Sequence, residues 1–140
     1  MLKGIPSILT PELLKILMDM GHGDELVIGD GNFPAANYAQ RLVRCDGHGV
    51  PELLEAILMF YPLDTFVECP VSLMDAPKEV SPPVWDKYKE LIKKYEGDHK
   101  IEYLERFEFY ERAKKAYAIV ATGETALYAN IILKKGVIKE

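Results

Sequence analysis

At 140 residues, 49% hydrophobic and 28% charged, the chain has the size and balance of one domain, residues 1–140, able to bury about 70% of the surface its unfolded form exposes. Its net charge of −5 disfavours nucleic acid as a general partner, because phosphate binding relies on clustered Lys and Arg, and only isolated pairs such as Lys93-Lys94 and Lys134-Lys135 are present. No apolar run nears the roughly 20 residues of a membrane span, and Pro6, Pro11 and Glu12 stand where a signal peptide keeps its apolar core, so the expectation is a cytoplasmic protein with no membrane partner.

In chain order, Thr10, Pro11 and Glu12 open a first helix with a capping hydroxyl, a proline at the first helical position and an acid facing the positive helix end. Leu13, Leu14, Leu17 and Met18 give it an apolar stripe, and Gly21 reads as its left-handed cap. That leaves His22 just beyond the helix's negative end. Glu25 to Gly29 reads as a short buried strand, followed by Asp30 and the turn Phe33-Pro34-Ala35. Ala36 to Gln40 reads as a helical turn and Arg41 to Cys45 as a second strand, closed by Asp46-Gly47-His48-Gly49. Pro51-Glu52 opens a helix to about Phe60, and Pro62 stops it.

Val67 to Met74 contains a strand that either begins or runs along a sheet edge at Pro70. Ser81-Pro82-Pro83 reads as the cap of a longer helix to about Tyr95. Ile101 to Glu105 reads as a short strand, and Arg106 to Lys115 as a helix that puts Arg106 and Tyr110 one turn apart on one face. Tyr117 to Thr122 and Asn130 to Lys134 are the clearest strands. They are expected to be antiparallel, because Gly123 to Ala129 is too short for a helical crossover. Strands alternating with helices predict an α/β fold, a single three-layer domain with a mostly parallel, mixed sheet and helices on both faces. The spacing of Cys45 and Cys69 fits neither a redox pair nor a zinc site, which leaves two buried free thiols as the expectation.

Ligands of open α/β sheets bind beyond the carboxyl ends of the parallel strands. Asp30 follows the first strand, the helix from Arg106 runs back before the strand from Tyr117, and Tyr128 and Asn130 lie in the turn after that strand. Topology therefore gathers an acceptor, a cation, a phenol and an amide at one edge, a set suited to a small polyhydroxylated ligand. Each also has a plainer reading: Asp30 as a turn residue, Arg106 as a solvated helix end, Tyr110 and Tyr128 as core aromatics with wet hydroxyls. His22 precedes the strand that Asp30 follows, and five extended residues span about 16 Å. Either the loop around Gly21 and Gly23 folds back over the sheet edge or, the favoured reading, a neighbouring subunit supplies one of the two residues. A histidine in this place can also be no more than a favourable charge at a helix end. The glycines beside His22 and Asp30 do not make a dinucleotide-binding turn, and His22, Asp24, Asp46 and His48 match no familiar ligand spacing, so no metal is expected.

The run Met20-Gly21-His22-Gly23-Asp24-Glu25 with Asp30 and Phe33-Pro34-Ala35, the segment Arg44-Cys45-Asp46-Gly47, and Thr122-Gly123-Glu124 with Tyr128-Ala129-Asn130-Ile131-Ile132-Leu133 resemble the D-ribose pyranase and L-fucose mutarotase family over essentially the whole chain. The segment Arg106-Phe107-Glu108-Phe109-Tyr110-Glu111-Arg112-Ala113 is similar to the fucose branch. The ribose branch has a histidine at the position of Arg106 and lacks the aromatic run. The resemblance implies a cofactor-free sugar isomerase, built as a ring-shaped homo-oligomer, commonly a decamer, that interconverts ring forms of a monosaccharide, with the α and β anomers of L-fucose first in line. Two alternatives stand beside it: pyranose/furanose exchange of the D-ribose pyranase type, and a non-catalytic sugar-binding accessory of sugar uptake. His22 matches the family's proton donor. Asp30, Arg106 and the segment Tyr128, Ala129 and Asn130 match its sugar-binding positions, and Tyr110 joins them because it shares a face with Arg106. On this reading His22 protonates the ring oxygen, Asp30 or a tyrosine beside it takes the anomeric proton, and Arg106 and Asn130 hold hydroxyls.

Overall fold

A computed structural model describes residues 1–140. The elements run α1 (Pro11–Asp19), β1 (Glu25–Gly29), α2 (Ala35–Tyr38), β2 (Leu42–Cys45), α3 (Val50–Leu58), β3 (Val71–Met74), α4 (Pro83–Glu96), β4 (Ile101–Leu104), α5 (Arg106–Lys115), β5 (Ala118–Thr122) and β6 (Ile131–Lys134). Local chemistry sets most of the boundaries. Thr10 Oγ1 accepts the Leu13 N–H at 3.1 Å at the start of α1, and the Glu105 carboxylate accepts the N–H groups of Phe107 and Glu108 at 2.9 and 3.2 Å at the start of α5. Pro70 ends just where β3 begins, so it marks a strand start and not an edge.

Two caps differ from their sequence reading. Gly21 is not the left-handed residue: α1 ends at Asp19, Met20 is extended, and the positive φ of 88° falls on Gly23. The reason is a competing cap, because Lys135 Nζ donates to the carbonyls of Leu17 and Met20 at 2.7 and 2.6 Å and so satisfies the helix end from across the fold. Likewise Ser81 does not cap α4. Pro82 stands at the cap position with no side-chain bond, and Pro83 supplies a preset φ at the first helical position.

The sheet has six strands in the order β2-β5-β1-β6-β3-β4. β2, β5 and β1 pair in parallel, as do β3 and β4, while β6 is antiparallel to both of its neighbours, β1 and β3. The sheet is thus mixed and mostly parallel, with one reversed strand. β5 and β6 run in opposite directions, as their short connection demands, but they do not pair, since β1 lies between them.

Alternation along the strands divides the core in two. Leu26 and Ile28 of β1, Ala118 and Val120 of β5, and Ile131 and Leu133 of β6 face the larger cluster with α1, α3 and α4. Val27, Ile119 and Ile132 face a smaller one with Phe109 and Ala113 of α5 and Ala35 of α2. The central strands β1, β3, β5 and β6 are therefore covered on both faces, which is why they read as continuous apolar runs, whereas the edge strands β2 and β4 expose Arg44 and Tyr103. No helix is long and apolar enough to cross a membrane.

For the site, the directions matter more than the layers. The carboxyl ends of the five co-directional strands lie at one edge, and the segment leading into the reversed β6 enters from that same edge.

Candidate functional site

At the carboxyl edge, Gly29 lets the chain close on itself: a Cβ there would stand 2.8 Å from the Phe33 ring. Asp30 follows, buried, with its N–H donating to Asn130 Oδ1 at 2.7 Å and its Oδ1 accepting the Asn32 N–H at 2.9 Å. Burial raises the Asp30 carboxyl above its ordinary value of 3.8, opposed by the backbone N–H groups of Asn32, Phe33 and Ala129 and reinforced by the charge of Glu124.

Tyr128 is the one non-glycine residue with a positive φ, 57°, a conformation that costs a side-chain-bearing residue about 1–2 kcal/mol. Two side chains of α4 hold it there. The Trp85 indole N–H donates to the Tyr128 carbonyl and the buried Tyr88 hydroxyl to the Ala129 carbonyl, both at 2.8 Å. Such over-determined strain is characteristic of ligand-binding backbone. Glu124 ties the preceding loop to the rest of the edge. Its carbonyl accepts the Gly31 N–H at 2.8 Å, and its carboxylate accepts the N–H groups of Val50, Thr125 and Ala126 at 3.0 to 3.1 Å.

From α5, Arg106 Nε donates to the Tyr110 hydroxyl at 2.9 Å, and its guanidinium lies 5.4 Å from the ring centres of Phe107 and Tyr110. Tyr110 in turn packs on Phe33 and Tyr38, with centroids 5.8 and 5.3 Å away. The outcome is a cleft of about 300 Å³ lined by Asp30, Arg106, Tyr110, Tyr128 and Asn130, with Phe33, Met74 and Leu127 as apolar wall. That volume is at the lower end for small-molecule sites, and the lining mixes one acid, one cation, phenols and an amide over an apolar floor. Ala129 is the exception among the residues expected here. It is fully buried behind the wall, because Tyr88 draws its carbonyl inward, and it reaches the site only through its N–H beside the Asp30 carboxylate.

His22 is not part of this cleft. Its loop does not fold back over the sheet, so that sequence alternative is overturned. Asp24 Oδ2 accepts the Gly21 N–H at 2.8 Å, Gly23 N–H donates to the Lys135 carbonyl at 2.8 Å, and Lys135 Nζ pins the end of α1, all at the amino end of β1. There His22 Nε2 stands 3.0 Å from Asp64 Oδ1, and its ring lies tilted against Phe66 at 5.2 Å. The His22 side chain is 45% exposed and that of Asp64 only 4%. Burial works against the Asp64 charge, but the Phe66 N–H and His22 outweigh it, aided by Lys134, and hold the carboxyl below its ordinary value.

The chain therefore carries two polar constellations at opposite ends of one strand. His22 and Asp24 also stand apart from Asp46 and His48, which lie in the loop after β2, where Gly123 N–H donates to the His48 carbonyl at 2.9 Å. Sequence reasoning missed Asp64, Trp85, Tyr88, Glu124 and Lys135. Glu124 stood in a segment that carries the family resemblance but without a role, the others bear no local motif, and Asp64 lies 42 positions from its partner.

An α/β domain with a small-polyol cleft at the carboxyl edge of a mixed sheet defines a carbohydrate-binding class of protein. The model of the RbsD / FucU transport protein family matches residues 3–138, and the chain belongs to that family. It is 54% identical to a fucose mutarotase of Danio rerio, over 98% of this chain and 94% of that one. The crystal structure of the Streptococcus pneumoniae fucose mutarotase in complex with L-fucose superposes with a TM-score of 0.95 at 53% identity, covering 99% of this chain and 100% of the other. Bacillus subtilis RbsD complexed with D-ribose is similar at a TM-score of 0.75 and 28% identity, over 94% of this chain and 95% of that chain.

Proposed function

We propose that this chain is an isomerase that interconverts the α and β anomers of L-fucose by acid- and base-catalysed ring opening and reclosure. The cleft carries the reading: Asp30, Arg106, Tyr128 and Asn130 converge around a monosaccharide-sized space in a chain just over half identical to a fucose mutarotase solved with L-fucose. The weaker similarity to the ribose-bound relative, at 28% identity, favours anomer exchange over pyranose/furanose exchange.

Opening the pyranose moves two protons. A base takes the proton of the anomeric hydroxyl while the bond from C1 to the ring oxygen breaks and an acid protonates that oxygen. C1 becomes the aldehyde carbon, rotates to present its other face, and both transfers reverse as the ring recloses. Asp30 is the base, its carboxyl raised by burial toward the range where a base is effective. Arg106 and Asn130 hold hydroxyls, and Tyr110 and Tyr128 frame the ring. His22 is the acid. Each positioned proton carrier contributes about 10²- to 10⁴-fold, enough for this reaction with no cofactor.

Because His22 and Asp30 sit at opposite ends of β1, about 16 Å apart, His22 serves the cleft of a neighbouring copy. Exposed apolar side chains support such a contact at both ends, Phe66, Val67 and Ile138 around His22 and Phe107 and Leu127 around the cleft. A head-to-tail contact of two different surfaces builds a ring where its rotation closes, and the family resemblance implies such a ring, a decamer. The two free thiols, Cys45 buried and Cys69 only half-buried where the sequence suggested both buried, fit a cytoplasmic location.

Magnetisation transfer between the anomeric NMR signals of L-fucose and of D-ribose, with and without protein, tests the reading. Exchange accelerated for L-fucose supports it. Exchange confined to D-ribose makes the chain a pyranase, and no acceleration with sugar still bound makes it a binding protein.

A further inference from the structure

We propose that Glu124 is a positioning residue for the reaction: it fixes the turn that carries Asp30 and holds a second negative charge near the Asp30 carboxyl. The inference rests on the reading of Asp30 as the base, and it adds what keeps that base in place and what makes it take up a proton.

Three observations carry it. First, the peptide groups on either side of Asp30 are held by Thr122-Gly123-Glu124. Thr122 Oγ1 donates to the Gly29 carbonyl at 2.7 Å and accepts the Glu124 N–H at 3.1 Å, and the Glu124 carbonyl accepts the Gly31 N–H at 2.8 Å. With Asn130 Oδ1 on the Asp30 N–H, three consecutive residues of the turn are tied from outside it. The approach is close: a Cβ on Gly31 would stand 3.1 Å from the Glu124 carbonyl oxygen, and one on Gly123 only 2.1 Å from that of Asp46.

Second, the half-buried Glu124 side chain is itself fixed. Gly49 has no side chain with which to cap α3, and Glu124 Oε1 does so from 74 positions away, accepting the Val50 N–H at 3.0 Å. Its Oε2 accepts the N–H groups of Thr125 and Ala126 at 3.0 and 3.1 Å. A helix cap needs neither the second oxygen nor the tie to Gly31. Glu124 thus joins the loops that follow β1, β2 and β5, and these three loops meet at the carboxyl edge.

Third, this fixed charge acts on Asp30. It adds to burial in holding the Asp30 carboxyl above its ordinary value, and it works on the Tyr88 hydroxyl in the same sense. The other charged and titratable groups facing Asp30 are Arg106 and Tyr110 from α5, Tyr128 from the loop before β6, Tyr88 from α4, and Arg44 and Asp46 from the end of β2. Arg44 offsets Asp46 through two bonds of 3.0 Å, and His48 faces Glu52 at 3.5 Å at the start of α3, whereas the Glu124 carboxylate meets only N–H groups. A like charge disfavours a second anion nearby, so Asp30 binds its proton more strongly with Glu124 present than without it.

The test reads the Asp30 carboxyl directly and the reaction beside it. With aspartate labelled by ¹³C at its side-chain carboxyl, the signal absent in Asp30→Asn identifies Asp30, and its chemical shift is followed against pH in the full-length protein. Glu124→Gln removes the charge, keeps the shape and leaves the Val50 acceptor in place. It should lower the Asp30 midpoint by about 0.5 to 1 on the pH scale, and the acid limb of kcat/KM for L-fucose exchange should move down with it. Near neutral pH the weaker base should cost about 2- to 3-fold in kcat. Glu124→Asp keeps the charge but shortens the arm that reaches α3, so kcat should fall while the Asp30 midpoint stays near that of the wild type. A folded Glu124→Gln whose Asp30 midpoint is unmoved overturns the inference. A midpoint that falls while the acid limb stays in place leaves Glu124 acting on Asp30 and overturns instead the reading of Asp30 as the base. Should Glu124→Gln fail to fold, Glu124→Asp decides: a lowered kcat at an unchanged midpoint supports the positioning role, and an unchanged kcat overturns it.

Discussion

The two ends of β1 are built in opposite ways. At the carboxyl end, Asp30 is buried, its N–H is held by Asn130 Oδ1 at 2.7 Å, and the neighbouring backbone is clamped by Trp85 and Tyr88 from α4. At the amino end, His22 projects from a loop with Asp64 as its one side-chain hydrogen-bond partner. A binding surface needs many fixed groups at once, since each hydroxyl of a sugar must meet its own partner, whereas a proton carrier needs one mobile proton, one orienting neighbour and access. In the proposed function, folding both onto one strand separates binding from proton delivery and makes each copy depend on the next.

The difference can be broken most sharply at His22. His22→Ala should slow L-fucose exchange by about 10²- to 10⁴-fold, while titration of the sugar into the protein still reports binding. Loss of binding together with exchange would show that the amino end belongs to the binding surface after all. Asp30→Asn should slow exchange comparably and also weaken binding by about 10-fold or more, the worth of a hydrogen bond to a charged group, so the two variants separate in affinity though not in rate.

A smaller effect is expected behind the cleft. Trp85→Phe keeps an aromatic ring, a smaller one, and removes the donor, leaving the Tyr128 carbonyl without its indole partner. It should cost about 1–3 kcal/mol in denaturant unfolding and weaken sugar binding as the left-handed Tyr128 relaxes. A variant with lowered stability and unchanged affinity would make the clamp purely structural.

Acid should separate the ends with the smallest displacement. The Asp30 carboxyl lies above its ordinary 3.8, so a base that must be ionised is lost as pH falls through a value above 3.8, and exchange falls with it. That same ionisation opposes folding, and Asp30 favours the fold below 3.8 and loses this contribution as pH rises through its folded value. The Asp64 carboxyl lies below 3.8. Its contribution to stability is fully present above 3.8 and disappears only as pH falls through its lower folded value. Exchange monitored beside circular dichroism from pH 7 downward should therefore fail before the fold does. Simultaneous loss would deny the separation.

Much of this was legible in the residues. Strand directions brought Asp30, Arg106, Tyr128 and Asn130 to one edge, and Tyr110 joined them as the residue one helical turn beyond Arg106. The roughly 16 Å span of β1 separated His22 from them. What stayed hidden was long-range pairing. Lys135 caps α1 from over a hundred positions away and displaces the expected Gly21 cap, and Asp64 meets His22 through a loop with no periodicity to read. Trp85 and Tyr88 carry no local signal beyond their place in the helix after Pro83, and the hydrogen bonds to the Tyr128 and Ala129 carbonyls show what their polar atoms hold.

The sharing of one site between two copies is tested most directly by mixing. Equal amounts of His22→Ala and Asp30→Asn chains, each inactive alone, are unfolded together and reassembled, and mixed oligomers are verified by native mass spectrometry. In a randomly mixed head-to-tail ring, about a quarter of the contacts join an intact His22 to an intact Asp30. L-fucose exchange should return to about that fraction of the wild-type rate. Verified mixed rings that stay as inactive as the separate variants would place His22 and Asp30 in the same copy's site and contradict the shared one.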